Sequence, residues 1–178
     1  MGILGYPFVM ADGIYPSEED ANDDPKIPRS LYIRWLQLAS LFPAMKYSTT
    51  PWTYDSEVVK IAQNMSSLHR KYVTDEIDNM KKEILSGSPI IRPIWWNDPL
   101  DSEALKIEDE FLIGDDILVA PVLCEGVTSR KVYFPDGLWS FENGEKFIEG
   151  NTWIEIPIRS HDIPIFTKKN VVGSLTIF

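Results

Sequence analysis

The sequence predicts a two-part fold: an α/β segment over residues 1–110, then a small all-β unit over residues 111–178. Three observations predict it. Two stretches, 30–42 and 56–86, place apolar residues where buried helix faces need them. Two apolar runs, YPFVMAD and IIRPIWWND, flank those helices and end on polar or acidic residues, as strands of a parallel sheet do. From residue 111 the long helical periods stop, and short β-rich runs alternate with turn residues.

YPFVMAD opens the chain. Tyr6 to Ala11 carry no charge, and Asp12 follows where the strand should stop. Ligands of parallel α/β sheets and barrels meet the carboxyl ends of strands, so Asp12 is a candidate substrate-contacting residue. A buried strand so close to the first methionine lacks the solvated lead-in usual for a domain, which suggests the tail of something longer. Residues 13–29 form an acidic loop punctuated by Gly13, Pro16, Pro25 and Pro28. Its Asp/Asn cluster lacks the glycine of an EF-hand, so a solvated loop is expected and no metal site.

Residues 30–42 are apolar almost all round, which predicts a helix buried on most sides. Arg34, Gln37 and Ser40 leave one narrow polar stripe. A buried guanidinium stays charged and needs a carboxylate; Asp12 is the nearest candidate, and the alternative is an Arg34 that snorkels to solvent. Pro43 marks the helix end, and AMKYSTTPW follows as a loop. In 56–86, Val58, Ile61, Met65, Leu68 and Tyr72 form one apolar stripe, which Val73, Ile77, Met80 and Ile84 continue slightly rotated. Asp55 or Ser56 caps the start, and Gly87 and Pro89 supply the stop. His69 lies on this helix in a structural or solvent-facing role. Ile90 to Trp96 reads as a second strand of a βαβ pattern, with Pro93 marking an edge or an irregularity. SEALK in the following acidic connector predicts a short helix. In the β-rich part, Asn143-Gly144 between two strand-like runs predicts a hairpin, and WIEIPI sets Ile154, Ile156 and Ile158 on one face.

Composition narrows the function classes. With 27 acids against 17 bases the net charge is −10, which argues against a nucleic-acid or anionic-membrane surface. Six tryptophans on an acidic chain are compatible with carbohydrate binding, because sugar C–H faces pack on aromatic rings. MGILGYPFVM lacks the basic start and cleavage site of a signal peptide, and no apolar run is long enough to span a membrane. Cys124, the single cysteine, has no internal disulfide partner and sits in the run LVAPVLC, where a buried inert thiol is expected. Asn64-Met65-Ser66 matches a glycosylation acceptor but falls inside the predicted helix, so it is read as chance.

Four blocks now support a family resemblance: GYPFVMAD, LYIRWLQLASLFP, IIRPIWW and DEFLIGDDILVAPVLCEGVTSRKVYFPDGLW. In this order they resemble the C-terminal third of glycoside hydrolase family 31. The resemblance implies the last strands and helices of a (β/α)8 TIM barrel in 1–110, with a small antiparallel β-sandwich in 111–178. It implies a retaining α-glycosidase in which two aspartates flank the scissile bond as nucleophile and general acid/base. In the family both lie before the strand matching YPFVMAD, so no catalytic residue is expected in this chain, which alone should be inactive. A whole barrel takes about 250 residues, far more than precede the β unit here.

The resemblance places Asp12 at the sugar subsite, Lys46, Tyr47 and Ser48 on the loop beside it, and Arg34 in a supporting role toward Asp12. Where α-glucosidases carry an Arg-x-His pair, this chain has Lys46-Tyr47-Ser48. That departure, with KYSTTPW and RPIWWNDP, looks more like the animal subgroup related to the myogenesis-regulating glycosidase, which implies an α-galactoside, with an α-glucoside as the alternative. The implied partner is a carbohydrate, with no cofactor and no membrane contact by this segment, and the secretory pathway is the implied compartment. The competing expectation is a glycosidase-like protein that lost catalysis and binds carbohydrate or protein.

Overall fold

The computed structural model describes residues 1–11, 13–14, 27–141, 146–159 and 162–169. Its helices are α1 (Arg29–Ala39), α2 (Ser56–His69), α3 (Asp75–Asn79) and α4 (Lys81–Leu85). Its strands are β1 (Ile91–Pro93), β2 (Phe111–Ile113), β3 (Ile117–Val119), β4 (Ser129–Phe134), β5 (Leu138–Phe141), β6 (Phe147–Glu149), β7 (Thr152–Pro157) and β8 (Ile165–Lys169).

Asp55 starts α2 as its sequence position predicts. Its carboxylate accepts from the amides of Glu57 and Val58, both at 2.9 Å, and so fills two of the donors left open at a helix start. Arg29, in the first turn of α1, donates to the same carboxylate at 2.6 Å and ties the two helix starts together. The Arg29 bond, followed by the amide of Val58, holds the Asp55 carboxyl down at about 2. Between the helices, Tyr32 and Tyr54 pack with ring centroids 4.5 Å apart. Ile33, Leu36 and Ala39 of α1 bury against Val58, Ile61, Ala62 and Met65 of α2.

The helix predicted over 56–86 is a train of shorter pieces. A π turn at Arg70–Thr74 follows α2, and Met80 breaks α3 from α4. The π turn falls where the apolar stripe rotates, because an extra residue per turn re-aims the face toward the core. Tyr72, Val73 and Met80 are then buried against Ile90, Ile113, Ile117 and Ile165 of the sheet.

The first strands differ from expectation. YPFVMAD is not a buried strand: Tyr6, Phe8 and Met10 are 58, 60 and 53% exposed. It pairs through isolated parallel bridges, Met10 with Ala44 and Ile14 with Tyr47. By the two-residue alternation of extended chain Tyr6, Phe8 and Met10 share one side, and that side faces solvent. The parallel partner of YPFVMAD is therefore the stretch expected as a loop, with α1 as the crossover between the two. β1, expected as a parallel neighbour, instead pairs antiparallel with β2, Ile91 opposite Ile113 and Pro93 opposite Phe111. β1 is the edge of its sheet, where a proline loses no ladder bond that the sheet needs.

The β-rich part is a sandwich. One sheet runs β1-β2-β3-β8-β5-β6 and the other is β4-β7, with every pair antiparallel. Leu112, Leu118, Val132, Phe134, Trp139, Ile148, Ile156 and Phe166 fill the space between them. Phe134 and Phe166 meet edge to face at 4.7 Å, a geometry worth about 0.5–1.5 kcal/mol beyond burial. Ile154, Ile156 and Ile158 face this core as the alternation predicts. The strand Phe111–Ile113 goes unread in the sequence because it is short and follows an acidic run. β5 and β6 pair antiparallel around the predicted hairpin, whose Asn143-Gly144 lies outside the described residues. SEALK yields a 3-10 turn at Ala104–Lys106. Cys124 is exposed, not buried: the buried run stops at Val122, and Leu123 already faces solvent. Among the described residues no helix is long and apolar enough to cross a membrane.

Arg92 joins the helices to the sandwich. Its side chain is 2% exposed. It donates to Glu83 of α4 at 2.6 Å, to the Pro89 carbonyl at 2.8 Å, and to Asp115 in the β2–β3 turn. Gly114 makes that turn possible, with φ +60 and no room for a Cβ beside Glu76 and Met80. Replacing Arg92 with alanine removes a buried charge that satisfies two carboxylates and a carbonyl. We expect Arg92→Ala to cost roughly 3 kcal/mol, read as a fall in the urea midpoint of unfolding. An unchanged midpoint would show that the node does not hold the two parts together.

Candidate functional site

The candidate substrate segment is held by backbone bonds. Ile14 donates to the Lys46 carbonyl at 3.1 Å, and Thr49 donates back to the Ile14 carbonyl at 2.9 Å. Ile14 itself is fully buried under α1 and α2. Tyr32 of α1 adds a hydroxyl bond to the Thr49 carbonyl at 2.8 Å. Burial pushes that phenol well above its ordinary range, so it stays a donor at any pH the protein meets.

The sequence-predicted residues are partly brought together. Lys46 and Ser48 are exposed and Tyr47 is half-buried. Gly13 packs so closely on Ser48 that a Cβ at position 13 would run into Ser48 Oγ. The residue just past Asp12 thus lies against the Lys46–Ser48 segment. Asp12 itself lies outside the described residues, as does most of the acidic loop. Beside Tyr47, a pocket of about 300 Å³ is lined by Thr50, Pro51, Trp52, Val59, Ala62, Gln63 and Ser66. The indole of Trp52 is 73% exposed there.

Arg34 does not snorkel. Its described hydrogen bonds run to the Asp162 carbonyl at 2.9 Å, the Arg159 carbonyl at 3.1 Å and Gln37 Oε1 at 3.2 Å. Its described partners outside α1 are therefore on the sandwich. The expected pairing with Asp12 falls outside the described residues. Gln37 and Ser40, the rest of the predicted polar stripe, are buried. Arg34 and Gln37 face the sandwich, whereas the Ser40 hydroxyl donates to the Gln37 carbonyl at 2.7 Å and lies 3.7 Å from the Met65 sulfur of α2. His69 has a structural contact, with Nδ1 2.9 Å from the Ser40 carbonyl.

Two further polar nodes escaped sequence reasoning. One is Arg92, whose signal was a charge inside the apolar run IIRPIWW. The other is Glu110, buried at the start of β2. Its Oε1 accepts from the Tyr133 amide at 3.0 Å, while Oε2 has no partner among the described residues. Arg130 is the nearest cation, but its 3.9 Å approach is too long for a hydrogen bond. Arg130 instead donates to the carbonyls of Pro121 and Asp109, both at 2.6 Å. Burial first, against the opposing Tyr133 amide and Arg130 charge, raises the Glu110 carboxyl to about 7. Among the described residues no group of three His, Cys, Asp or Glu side chains could hold a metal ion.

A parallel βαβ edge leads into a two-sheet antiparallel sandwich, with the polar Lys46–Ser48 segment at the end of the parallel pair. The chain is similar to glycoside hydrolase family 31. Residues 87–172 match the glycosyl hydrolase family 31 C-terminal domain. The chain is 40% identical over 174 residues to the myogenesis-regulating glycosidase of Mus musculus, covering 94% of this chain and 24% of that protein. It is 33% identical over 172 residues to the SITS-binding protein of Tetronarce californica, again 94% and 24%. A family 31 α-xylosidase from a soil metagenome, solved with xylose, superposes with a TM-score of 0.75 at 26% identity, covering 97% of this chain and 29% of that one. The chain thus spans about a quarter of the length of the curated relatives it matches.

Two outcomes follow from this geometry. Gly13→Ala should push the Ser48 segment away and destabilise the chain by about 1–3 kcal/mol. Gly13→Ala combined with Ser48→Gly should recover most of that loss in a thermal melt, and no recovery would separate the two positions. For Glu110 the folded carboxyl is raised above its unfolded value near 4.5. The folded state therefore holds the proton more tightly. That contribution is full below pH 4.5 and is lost as pH rises through about 7. It amounts to on the order of 2–3 kcal/mol. Urea midpoints measured from pH 4.5 to 8 should fall with pH, and Glu110→Gln should flatten the slope.

Proposed function

We propose that this chain is the C-terminal part of a retaining α-glycosidase that hydrolyses O-glycosyl bonds of an α-galactoside or α-glucoside. On this reading residues 1–110 close a (β/α)8 barrel and residues 111–178 form the sandwich behind it. The observation that carries the reading is the parallel pairing of Met10 with Ala44 and Ile14 with Tyr47 around α1. Successive parallel strands with a helical crossover are the repeating unit of such a barrel, and substrates bind at the carboxyl ends of its strands. Lys46, Tyr47 and Ser48 lie at that end, next to Gly13. Asp12 then contributes a carboxylate to the sugar subsite, and Arg34 supports the subsite through α1.

The chemistry asks for two carboxyls about 5–5.5 Å apart, one attacking the anomeric carbon and one protonating the leaving oxygen. Family resemblance assigns both to positions before the strand matching YPFVMAD, and on this reading Asp12, Lys46, Tyr47 and Ser48 serve as binding groups. A hydroxyl at Ser48 in place of an imidazole reaches less far and presents a different donor, which favours a sugar other than glucose. The similarity to a protein named for binding SITS supports a second reading, a family member that binds without hydrolysis.

The test uses the full-length protein. It should release sugar from an α-galactoside faster than from the matching α-glucoside, and Ser48→His should shift the ratio of kcat/KM toward the glucoside by about tenfold or more. Loss of the hydroxyl in Ser48→Ala should raise KM by several-fold, the size expected for one hydrogen bond. Sugar binding without turnover on either glycoside would favour the second reading.

A further inference from the structure

We propose that Arg34, together with Gln37, is a positioning residue that latches α1 to the sandwich through the backbone carbonyls of Arg159 and Asp162. Through α1 the latch sets the placement of Lys46–Ser48. That this segment contacts sugar rests on the reading above; the latch does not.

The two receiving residues are bonded to each other: the Asp162 amide donates to the Arg159 carbonyl at 3.1 Å, and the Arg159 amide donates to Asp162 Oδ2 at 3.1 Å. On either side the chain is fixed to the sandwich. The Ile158 amide donates to the Thr128 carbonyl at 2.8 Å, and the Ala120 amide donates to the Pro164 carbonyl at 3.0 Å. The carbonyls of Arg159 and Asp162 accept from Arg34, and Gln37 Nε2 reaches the Asp162 carbonyl at 3.4 Å. Arg34 is half-buried, and desolvation lowers its pKa while the nearby Asp162 charge opposes the shift. A guanidinium stays charged in such a setting, and each bond it makes to a carbonyl is charge-assisted. It presents two separate N–H vectors to the carbonyls of two residues that are bonded to each other.

The transmitting side is equally direct. α1 carries Tyr32, whose hydroxyl holds the Thr49 carbonyl, and it buries Ile14, whose amide and carbonyl hold Lys46 and Thr49. A shift of α1 relative to the sandwich must therefore move the segment between Lys46 and Thr49. Leu41 and Phe42 turn the chain directly from α1 into Ala44, so no slack separates the helix from the segment.

Amide hydrogen exchange on the chain without sugar tests this. Arg34→Met keeps the apolar stem and removes the donors. It should speed exchange at Ile14 and Thr49 at least tenfold, and leave the Val132 and Tyr133 amides of β4 unchanged. Arg34→Lys, which retains a charge able to reach one carbonyl, should restore part of the protection. The latch is overturned if Ile14 and Thr49 exchange as before, or if β4 loosens to the same degree. Should Arg34→Met fail to fold, Gln37→Leu should raise exchange at the same two amides, and no rise there also overturns the latch. Exchange needs no turnover, so a failed latch leaves the glycosidase reading standing, and an inactive enzyme leaves the latch standing.

Discussion

The buried guanidinium of Arg92 is the constraint on which the two halves of this structure depend. A charge at 2% exposure is tolerated only when its donors are filled. Here the acceptors come from three places: Glu83 on the last helix, Pro89 in the connector, and Asp115 in the first turn of the sandwich. The helical train, the edge strand and the β2–β3 turn must therefore arrive at one point. Trp96 closes the remaining face, its ring 6.0 Å from the guanidinium carbon. Because Glu83 and Asp115 are half exposed, the node keeps its carboxylates solvated while burying the cation alone. That lowers the desolvation cost relative to a fully buried pair.

Around that node the apolar seam is continuous. Leu41, Tyr72, Val73 and Met80 of the helical side pack with Ile90, Ile113, Ile117, Val119 and Ile165 of the sheet. Arg34 adds a second tie between the helices and the sandwich, through backbone carbonyls where Arg92 uses two carboxylates and one carbonyl. Apolar contact alone would allow sliding, since dispersion is non-directional. Two planar donors at separate points remove that freedom, and this is how a sandwich distant in sequence can govern the geometry of a segment at residues 46–48.

What the sequence made legible follows from what periodicity encodes. The Asp55 cap, the apolar face of 56–69 and the Ile154–Ile156–Ile158 alternation were readable because each depends on neighbours a few residues away. The partner of each strand was not. YPFVMAD and Ile90–Trp96 both read as apolar strands, and no local signal says that the first pairs with Ala44–Tyr47 while the second turns antiparallel onto Phe111–Ile113. The polar stripe Arg34, Gln37 and Ser40 was visible, but its direction was not, since a stripe facing protein and one facing water share a spacing. Glu110 was hidden for a related reason. An acid beside Glu108 and Asp109 reads as surface, and only the Tyr133 amide meeting it from β4 places it inside. At the site, the Lys46–Ser48 segment was readable through family resemblance, and its support by Ile14, Thr49 and Tyr32 was not.

The substitution pattern at that segment bears on how specificity is divided in such a protein. Hydrolysis by two carboxylates is indifferent to most of the sugar ring; discrimination comes from donors around its hydroxyls. Those donors must sit on a backbone that does not move when the side chain changes. The segment is held at its two ends: the Lys46 carbonyl and the Thr49 amide are engaged with Ile14 and the Thr49 carbonyl with Tyr32, while the side chains of Lys46 and Ser48 stay exposed. Ser48 Oγ is confined from behind by Gly13, which leaves no volume for a Cβ there. Exchanging a histidine for serine at this position therefore changes the hydrogen-bonding group without disturbing the frame. On the proposed reading, such a segment would separate recognition, carried by exposed side chains between two anchored ends, from the bond-breaking carboxylates.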